Sequence, residues 1–145
     1  MIQRIQTLWL FLAGLVNAGV FYFDLYRGYV TENNAQVLKS LYVGREMPLL
    51  LIAIVMVILP WAAIGMFKNR KRQRSMAAVS AVATVAFISA FMMRVTSFTK
   101  ETAGIANDTY WIGSVLPFVS IVFIVLAIRG INKDQKLVKS LDRLR

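Results

Sequence analysis

The segment Lys68-Asn69-Arg70-Lys71-Arg72-Gln73-Arg74 carries five positive charges in seven residues and lies between two long apolar runs. These runs, residues 48–67 and 76–93, contain no ionisable side chain. Bacterial inner-membrane proteins keep Lys and Arg on the cytoplasmic side, because a cation-rich loop is difficult to translocate against the membrane potential. The segment therefore predicts two membrane spans joined by a cytoplasmic loop.

Two further apolar stretches extend this pattern to the whole chain. A helix needs about 20 apolar residues to cross roughly 30 Å of hydrocarbon. The stretches that meet or approach this length are residues 7–23, 48–67, 76–93 and 110–128, and a basic tail follows at 129–145. Of the 145 residues, 58% are hydrophobic, which exceeds what soluble domains contain. The sequence predicts one all-α membrane domain over residues 1–145, a four-transmembrane-helix bundle. The first stretch lacks a signal-peptide cleavage site, so we expect a retained span.

The charges are divided unequally between the two faces that four spans would create. One face would hold both chain ends and the 68–74 loop, with twelve cations and two acids. The other would hold the loops at 24–47 and 94–109, with five cations and five acids. The whole net charge of +10 thus falls on one face. This predicts a multi-pass protein of the bacterial inner membrane with both termini in the cytoplasm.

The segments outside the spans carry weaker structural signals. Residues 29–31 and 37–43 are rich in β-forming side chains, and the polar stretch between them predicts a small extracytoplasmic β-hairpin, with an irregular or reentrant loop as the alternative. In the tail, Gly130 interrupts the fourth span, and Asn132 with Gln135 resembles a capping box. This favours a separate amphipathic cytoplasmic helix lying on the membrane surface. The tail could instead continue straight from the fourth span.

The sequence contains no residues that indicate catalysis or metal binding. There is no Cys and no His, which removes thiol chemistry, the commonest transition-metal ligands and the most versatile general base. No two acids are spaced three or four residues apart within a span, so a proton relay or a carboxylate metal site has no support. We expect no cofactor, no metal and no catalytic residue.

Two polar residues and one group of small residues bear on how the predicted spans pack together. Asn17 lies in the outer half of the first span, where we expect an interhelical hydrogen bond. Arg94 closes the third span on the outer side and could pair with an acid such as Asp24, Glu46 or Asp108, or hold a lipid phosphate. Ala, Ser and Thr side chains cover most of the third span, which predicts that it is the central or most enclosed helix.

The basic face is the surface on which we expect binding. Clusters of Lys and Arg beside membrane spans attract anionic headgroups, and they can also contact a protein partner. The predicted contact residues are Arg4, Lys68, Arg70, Lys71, Arg72, Arg74, Lys133, Lys136, Lys139 and Arg143. The tail has no aromatic residue on which a base could stack, so nucleic acid is not an expected partner.

The two ends of the chain carry a family resemblance. The opening Met1-Ile2-Gln3-Arg4-Ile5-Gln6 and the closing lysine- and acid-containing stretch 131–145, which ends in Asp-Arg-Leu-Arg, resemble an uncharacterised family of small four-span bacterial inner-membrane proteins. The family is described as a domain of unknown function. The resemblance implies a four-helix bundle in the inner membrane, and it implies no activity or cofactor.

Three functions from different classes fit these features. The small residues and the basic face favour a non-enzymatic accessory or scaffolding subunit of a larger membrane assembly, with a membrane-protein partner or further copies of the chain. A small oligomeric transporter or channel would need a polar lumen that contains Asn17, Ser80 or Thr84. A lipid-handling enzyme would need a concave outer site that joins the loop acids with Arg94.

Overall fold

A computed structural model describes residues 2–32, 35–102 and 105–142, with side chains over residues 5–30, 35–102, 105 and 107–138. These residues form four helices: α1 (Ile2–Ala18), α2 (Met47–Gly65), α3 (Arg70–Glu101) and α4 (Ile112–Asp142). Three strands, β1 (Tyr26–Glu32), β2 (Ala35–Leu41) and β3 (Ile105–Tyr110), accompany them. The chain is therefore mostly helical with a small sheet.

The helices are long and apolar enough to indicate a membrane protein. By length and composition, α2, α3 and residues Ile112–Val138 of α4 can each cross a membrane. The fourth apolar helix, at Ile5–Phe21, is shorter. Each helix packs against its neighbour in sequence, and α4 returns to contact α1, so the four helices form an up-and-down ring.

The start of α3 lies inside the basic segment. The side-chain oxygen of Asn69 accepts a hydrogen bond from the backbone N–H of Arg72 at 3.2 Å, which caps the helix. Residues 70–74, expected as part of a loop, are therefore the first turns of α3. Their cations are held on a helix, and the connection from α2 is short. We call this end of the bundle the basic end.

The three strands lie at the opposite end, which we call the sheet end. β1 and β2 form an antiparallel hairpin in which Glu32 is opposite Ala35, and this confirms the predicted hairpin. β3 adds antiparallel to the other side of β1, so the strand order is β2-β1-β3. The third strand was not predicted from the sequence, which indicated only a loop there. The register shifts between Arg27 and Tyr29, where β3 contains Asn107 with a φ of 52°.

A core joins the sheet to the bundle. Leu25, Tyr26 and Leu41 of the hairpin region are buried together with Met56 of α2 and Phe91 of α3. A smaller cluster toward the basic end consists of Leu10, Ala63, Ala77 and Ala127. The sheet is thus packed onto the helices through shared apolar side chains, and its position relative to them is fixed by that core.

The prediction of a separate helix in the tail is wrong, because the tail is continuous with the fourth helix. α4 runs through Gly130 to Asp142 without a break. The tail therefore continues straight from the fourth span, which was the alternative prediction. The glycine is needed for packing: a Cβ at Gly130 would lie 2.8 Å from Cγ of Gln6 on α1. Gly130 therefore allows α1 to approach α4 closely, and it does not end the helix.

The prediction that the third span is the most enclosed helix is also wrong. In a ring of four helices no helix is central, and the apolar window of α3 is 28% buried, compared with 33% for those of α2 and α4. Ala77, Ser80 and Thr84 face the interior, whereas Ala78 and Ala86 are exposed. Small residues therefore occur on the outward face of α3 as well as on its packed face.

Candidate functional site

A buried carboxylate lies at the basic end of the ring. Asp134 of α4 is 6% exposed, and its Oδ2 accepts a hydrogen bond from Nε2 of Gln6 at 2.6 Å. Gln6 is itself 4% exposed. Asp134 continues the buried stripe of Ile124, Ala127 and Ile131 on α4, which explains why it faces α1. This contact joins the first and last helices of the chain.

Other polar groups surround this pair. Nη1 of Arg70 donates to the backbone oxygen of Asp134 at 3.3 Å, which connects α3 to the same turn of α4. Gln73, one turn further along α3, is buried. Oδ1 of Asn132 is buried and has no hydrogen-bond partner among the described residues. The basic end is thus organised by polar contacts among three helices.

Two cavities open beside these contacts, between the start of α3 and the end of α4. The first has a volume of about 410 Å³ and is lined by Arg70, Lys71, Arg74, Gln135 and Val138. The second, of about 330 Å³, is lined by Arg74, Asn132, Gln135 and Lys136. No acidic side chain is among these lining residues. The arrangement is a concave, cationic surface suited to an anion.

The predicted basic contact residues are separated by the fold into three groups. Arg70, Lys71, Arg74 and Lys136 line the two cavities. Lys68, Arg72 and Lys133 are exposed and line neither. The side chains of Arg4 and Lys139, and the whole of Arg143, lie outside the part of the chain that is described.

The sheet end carries an ion network centred on Arg94. Its Nε and Nη2 donate to the two carboxylate oxygens of Glu46 at 2.8 and 3.0 Å, and its Nη1 donates to Glu101 at 2.9 Å. The bidentate geometry joins the start of α2 to α3. Glu46 was an expected partner, whereas Glu101 was not. Beside the network lies an apolar groove of about 260 Å³ between α2 and α3.

Two further acids of the sheet end, Asp24 and Asp108, are also engaged. Asp24 accepts a hydrogen bond from Nε of Arg27 at 2.7 Å, and Arg27 lies over the ring of Trp111 at 4.2 Å. Asp108 accepts a hydrogen bond from the hydroxyl of Tyr26. Neither Asp24 nor Asp108 lines the groove beside Arg94. The groove beside Arg94 therefore does not join Asp24 and Asp108 to Arg94.

The environment of Tyr26 predicts an unusual titration. Burial, together with the hydrogen bond to Asp108, raises the pKa of Tyr26 to about 12. Since the folded state favours the neutral phenol, this contribution to stability is complete below pH 10 and is lost as the pH rises through 12. In an ultraviolet titration, the phenolate signal removed by Tyr26→Phe should have its midpoint near pH 12.

Asp108→Asn provides the matched test of that cause. The substitution removes a negative charge and weakens the acceptor, so the midpoint for Tyr26 should fall. An unchanged midpoint would show that the carboxylate of Asp108 does not contribute.

Polar residues inside the bundle make structural hydrogen bonds. Nδ2 of Asn17 donates to the backbone oxygen of Met56 at 3.0 Å, the expected bond between α1 and α2. The hydroxyls of Ser80 and Thr84 donate within α3, to the oxygens of Ala77 and Ser80. All three side chains are fully buried. Within the described parts of the chain, no group of three acidic side chains is placed to hold a metal ion.

The four helices, the basic end and the sheet end together include nearly the whole chain. One family model covers the same residues. The model, described as "Domain of unknown function (DUF4293)", matches residues 2–144. The chain belongs to this family. The resemblance to an uncharacterised family is thereby confirmed. No curated protein matches the chain.

Within this family member, two site features were missed by sequence reasoning. Asp134 was counted only as an acid of the tail, although its spacing of three and ten residues from Ile131 and Ile124 placed it on the apolar stripe of α4. That periodicity could have predicted its burial. The Tyr26–Asp108 contact had no sequence signal, because it depends on the addition of β3 to β1.

Proposed function

We propose that the protein is a four-span membrane protein that acts without catalysis, as an accessory or scaffolding subunit of a larger membrane assembly. In this proposal α1 completes the set of spans, and the basic end faces the cytoplasm of a bacterial cell. The charge asymmetry of the sequence supports that orientation, because cation-rich segments are retained on the cytoplasmic side.

The observation that carries the proposal is the outward face of α3. One stripe of this helix, with successive spacings of four, four, three and four residues, consists of exposed side chains: Ala78, Val82, Ala86, Ser89 and Met93. Small side chains on a membrane helix allow another helix to approach closely, and dispersion contacts then stabilise the pair. The stripe is exposed along its whole length, and only its last residue, Met93, borders the groove between α2 and α3.

The placement of the polar residues gives less support to the alternatives. A lumen that uses Asn17, Ser80 or Thr84 would need their polar groups to face a common path, whereas they are buried and donate hydrogen bonds to backbone oxygens. A lipid-handling site on the sheet end would need unengaged acids. Asp24, Glu46, Glu101 and Asp108 are each held by an Arg or a Tyr.

Ala86→Phe tests the proposal. An aromatic ring on the outward face of α3 would prevent close helix approach, and overpacking of this kind costs about 1–3 kcal/mol. When the full-length protein is purified from native membranes in mild detergent, we expect the wild type in a defined larger complex. The amount of that complex should fall at least about fivefold for the variant.

Val122→Phe on α4 is the matched control, because Val122 is also exposed but lies on a different helix face. It should leave the complex intact. Recovery of the wild type as a lone chain, or equal loss in both variants, would contradict the proposal. A symmetric assembly of this chain that conducts ions would favour the channel alternative instead.

A further inference from the structure

The two cationic cavities at the basic end adjoin each other. They share Arg74 and Gln135 as lining residues, so both side chains border the two cavities. Arg70 and Lys71 contribute to the first cavity, and Lys136 contributes to the second. The first cavity therefore has two cations of its own and the second has one, in addition to the shared Arg74.

The charge of these cavities is not neutralised by the part of the chain that is described. Lys71, Arg74 and Lys136 form no ion pair with a described residue. The nearest acid in sequence, Asp134, is turned toward Gln6 and lines neither cavity. Clustered cations repel one another, and an anion that binds between them removes that repulsion.

In the proposed membrane-spanning arrangement, the cavities lie at the level of lipid headgroups. Arg74 and Arg94 are both on α3 and are twenty residues apart. At a rise of about 1.5 Å per residue this is about 30 Å, the thickness of the hydrocarbon core. With Arg94 at one interface, Arg74 lies at the other. The exposed Val138 at the rim of the first cavity can contact the adjoining acyl region.

We propose that the paired cavities bind one membrane lipid that carries two phosphodiesters on a short linker, with diphosphatidylglycerol as the type. One phosphate occupies the cavity of Arg70 and Lys71, the other occupies the cavity of Lys136, and Arg74 contacts both. Arg presents several N–H donors in a planar fork, so a single guanidinium can serve two phosphates. The amide of Gln135, which lines both cavities, supplies a further donor.

A lipid with one phosphate would fill only half of this arrangement. Two separate lipids would also have to place two headgroups side by side, which costs the translational freedom of a second molecule. A linked pair of phosphates avoids that cost, because binding of the first brings the second to its cavity. The proposal is independent of whether the outward face of α3 binds a protein.

The test uses the full-length chain in detergent, with bound lipid counted by native mass spectrometry. Diphosphatidylglycerol is compared with phosphatidylglycerol at equal total phosphate. The wild type should retain diphosphatidylglycerol preferentially. Arg74→Gln should lower that retention about fivefold or more, the effect expected for one cation near an anionic group. Arg72→Gln removes the same charge two residues away, outside both cavities, and should preserve the preference.

A second variant and measurements of folding complete the test. Lys136→Gln alters only the second cavity and should also reduce the preference, and circular dichroism and thermal unfolding of each variant verify that it is folded. Equal retention of the two lipids by the wild type would overturn the proposal, as would equal losses for Arg72→Gln and Arg74→Gln. Displacement of the lipid by excess pyrophosphate would identify a site for soluble phosphates and would also overturn it.

Discussion

Gly113→Ala should destabilise the protein by about 3 kcal/mol, because the new methyl group would clash with the backbone of residues 23 and 24. A Cβ at this position would lie 2.6 Å from the backbone oxygen of Asp24 and 2.7 Å from that of Phe23. The N–H of Gly113 donates to the oxygen of Asp24 at 3.1 Å, and that of Trp111 donates to Leu25 at 3.0 Å. Relief of the clash would therefore separate the start of α4 from the chain that enters β1.

Gly65→Ala is the matched control for this prediction. Gly65 is the last residue of α2, and no atom lies within 4 Å of a Cβ built there. Because alanine favours helix over glycine by up to about 1 kcal/mol, this variant should be neutral or slightly more stable. Thermal unfolding of both variants in the same detergent measures the difference. Similar stabilities would contradict the close docking of α4 on residues 23 and 24.

Gln6→Leu should destabilise the protein by about 2–3 kcal/mol. The substitution removes the donor at 2.6 Å from a buried carboxylate, and a buried charged group without its hydrogen bond carries a desolvation cost of that order. The loss of stability in this single variant should appear as a lower midpoint in denaturant or thermal unfolding of the full chain. Asp134→Leu alone should also destabilise, by a smaller amount, because it leaves an amide without its acceptor.

The double variant distinguishes this explanation from a simple packing defect. Replacement of both partners by Leu removes the unsatisfied groups together, so the stability should return to within about 1 kcal/mol of the wild type. If the two losses were additive instead, the contact between Gln6 and Asp134 would not be the cause of either one.

The sequence predicted the helical elements and the hairpin well, for a local reason. Apolar runs and the two β-forming segments are defined by residues close together in the chain, so their signals need no knowledge of distant contacts. Asn69 and the cations that follow it illustrate the limit of this reasoning. The 68–74 segment was expected to be a loop on account of its charge, yet the Asn69 cap and the short connection place most of it in α3.

The candidate site was predicted only as a list of cations. Sequence alone could not separate Arg74, which lines both cavities, from Arg72, which lines neither. The two residues have the same charge and lie in the same segment. Their difference arises from the direction in which each projects from α3 and from the proximity of α4, which is a property of the folded ring.

The sequence by itself determined that this chain is mostly helical, that its helices suit a membrane, and that its Lys and Arg residues cluster in the 68–74 segment and in the C-terminal tail. These properties follow from hydrophobic length and from the positions of Lys and Arg along the chain. Only the tertiary structure decided that β3 joins the hairpin, that α4 continues through Gly130, and that Asp134 is buried against Gln6. Each of these depends on contacts between distant segments, 128 residues apart in the last case, and such contacts are set by packing rather than by local preference.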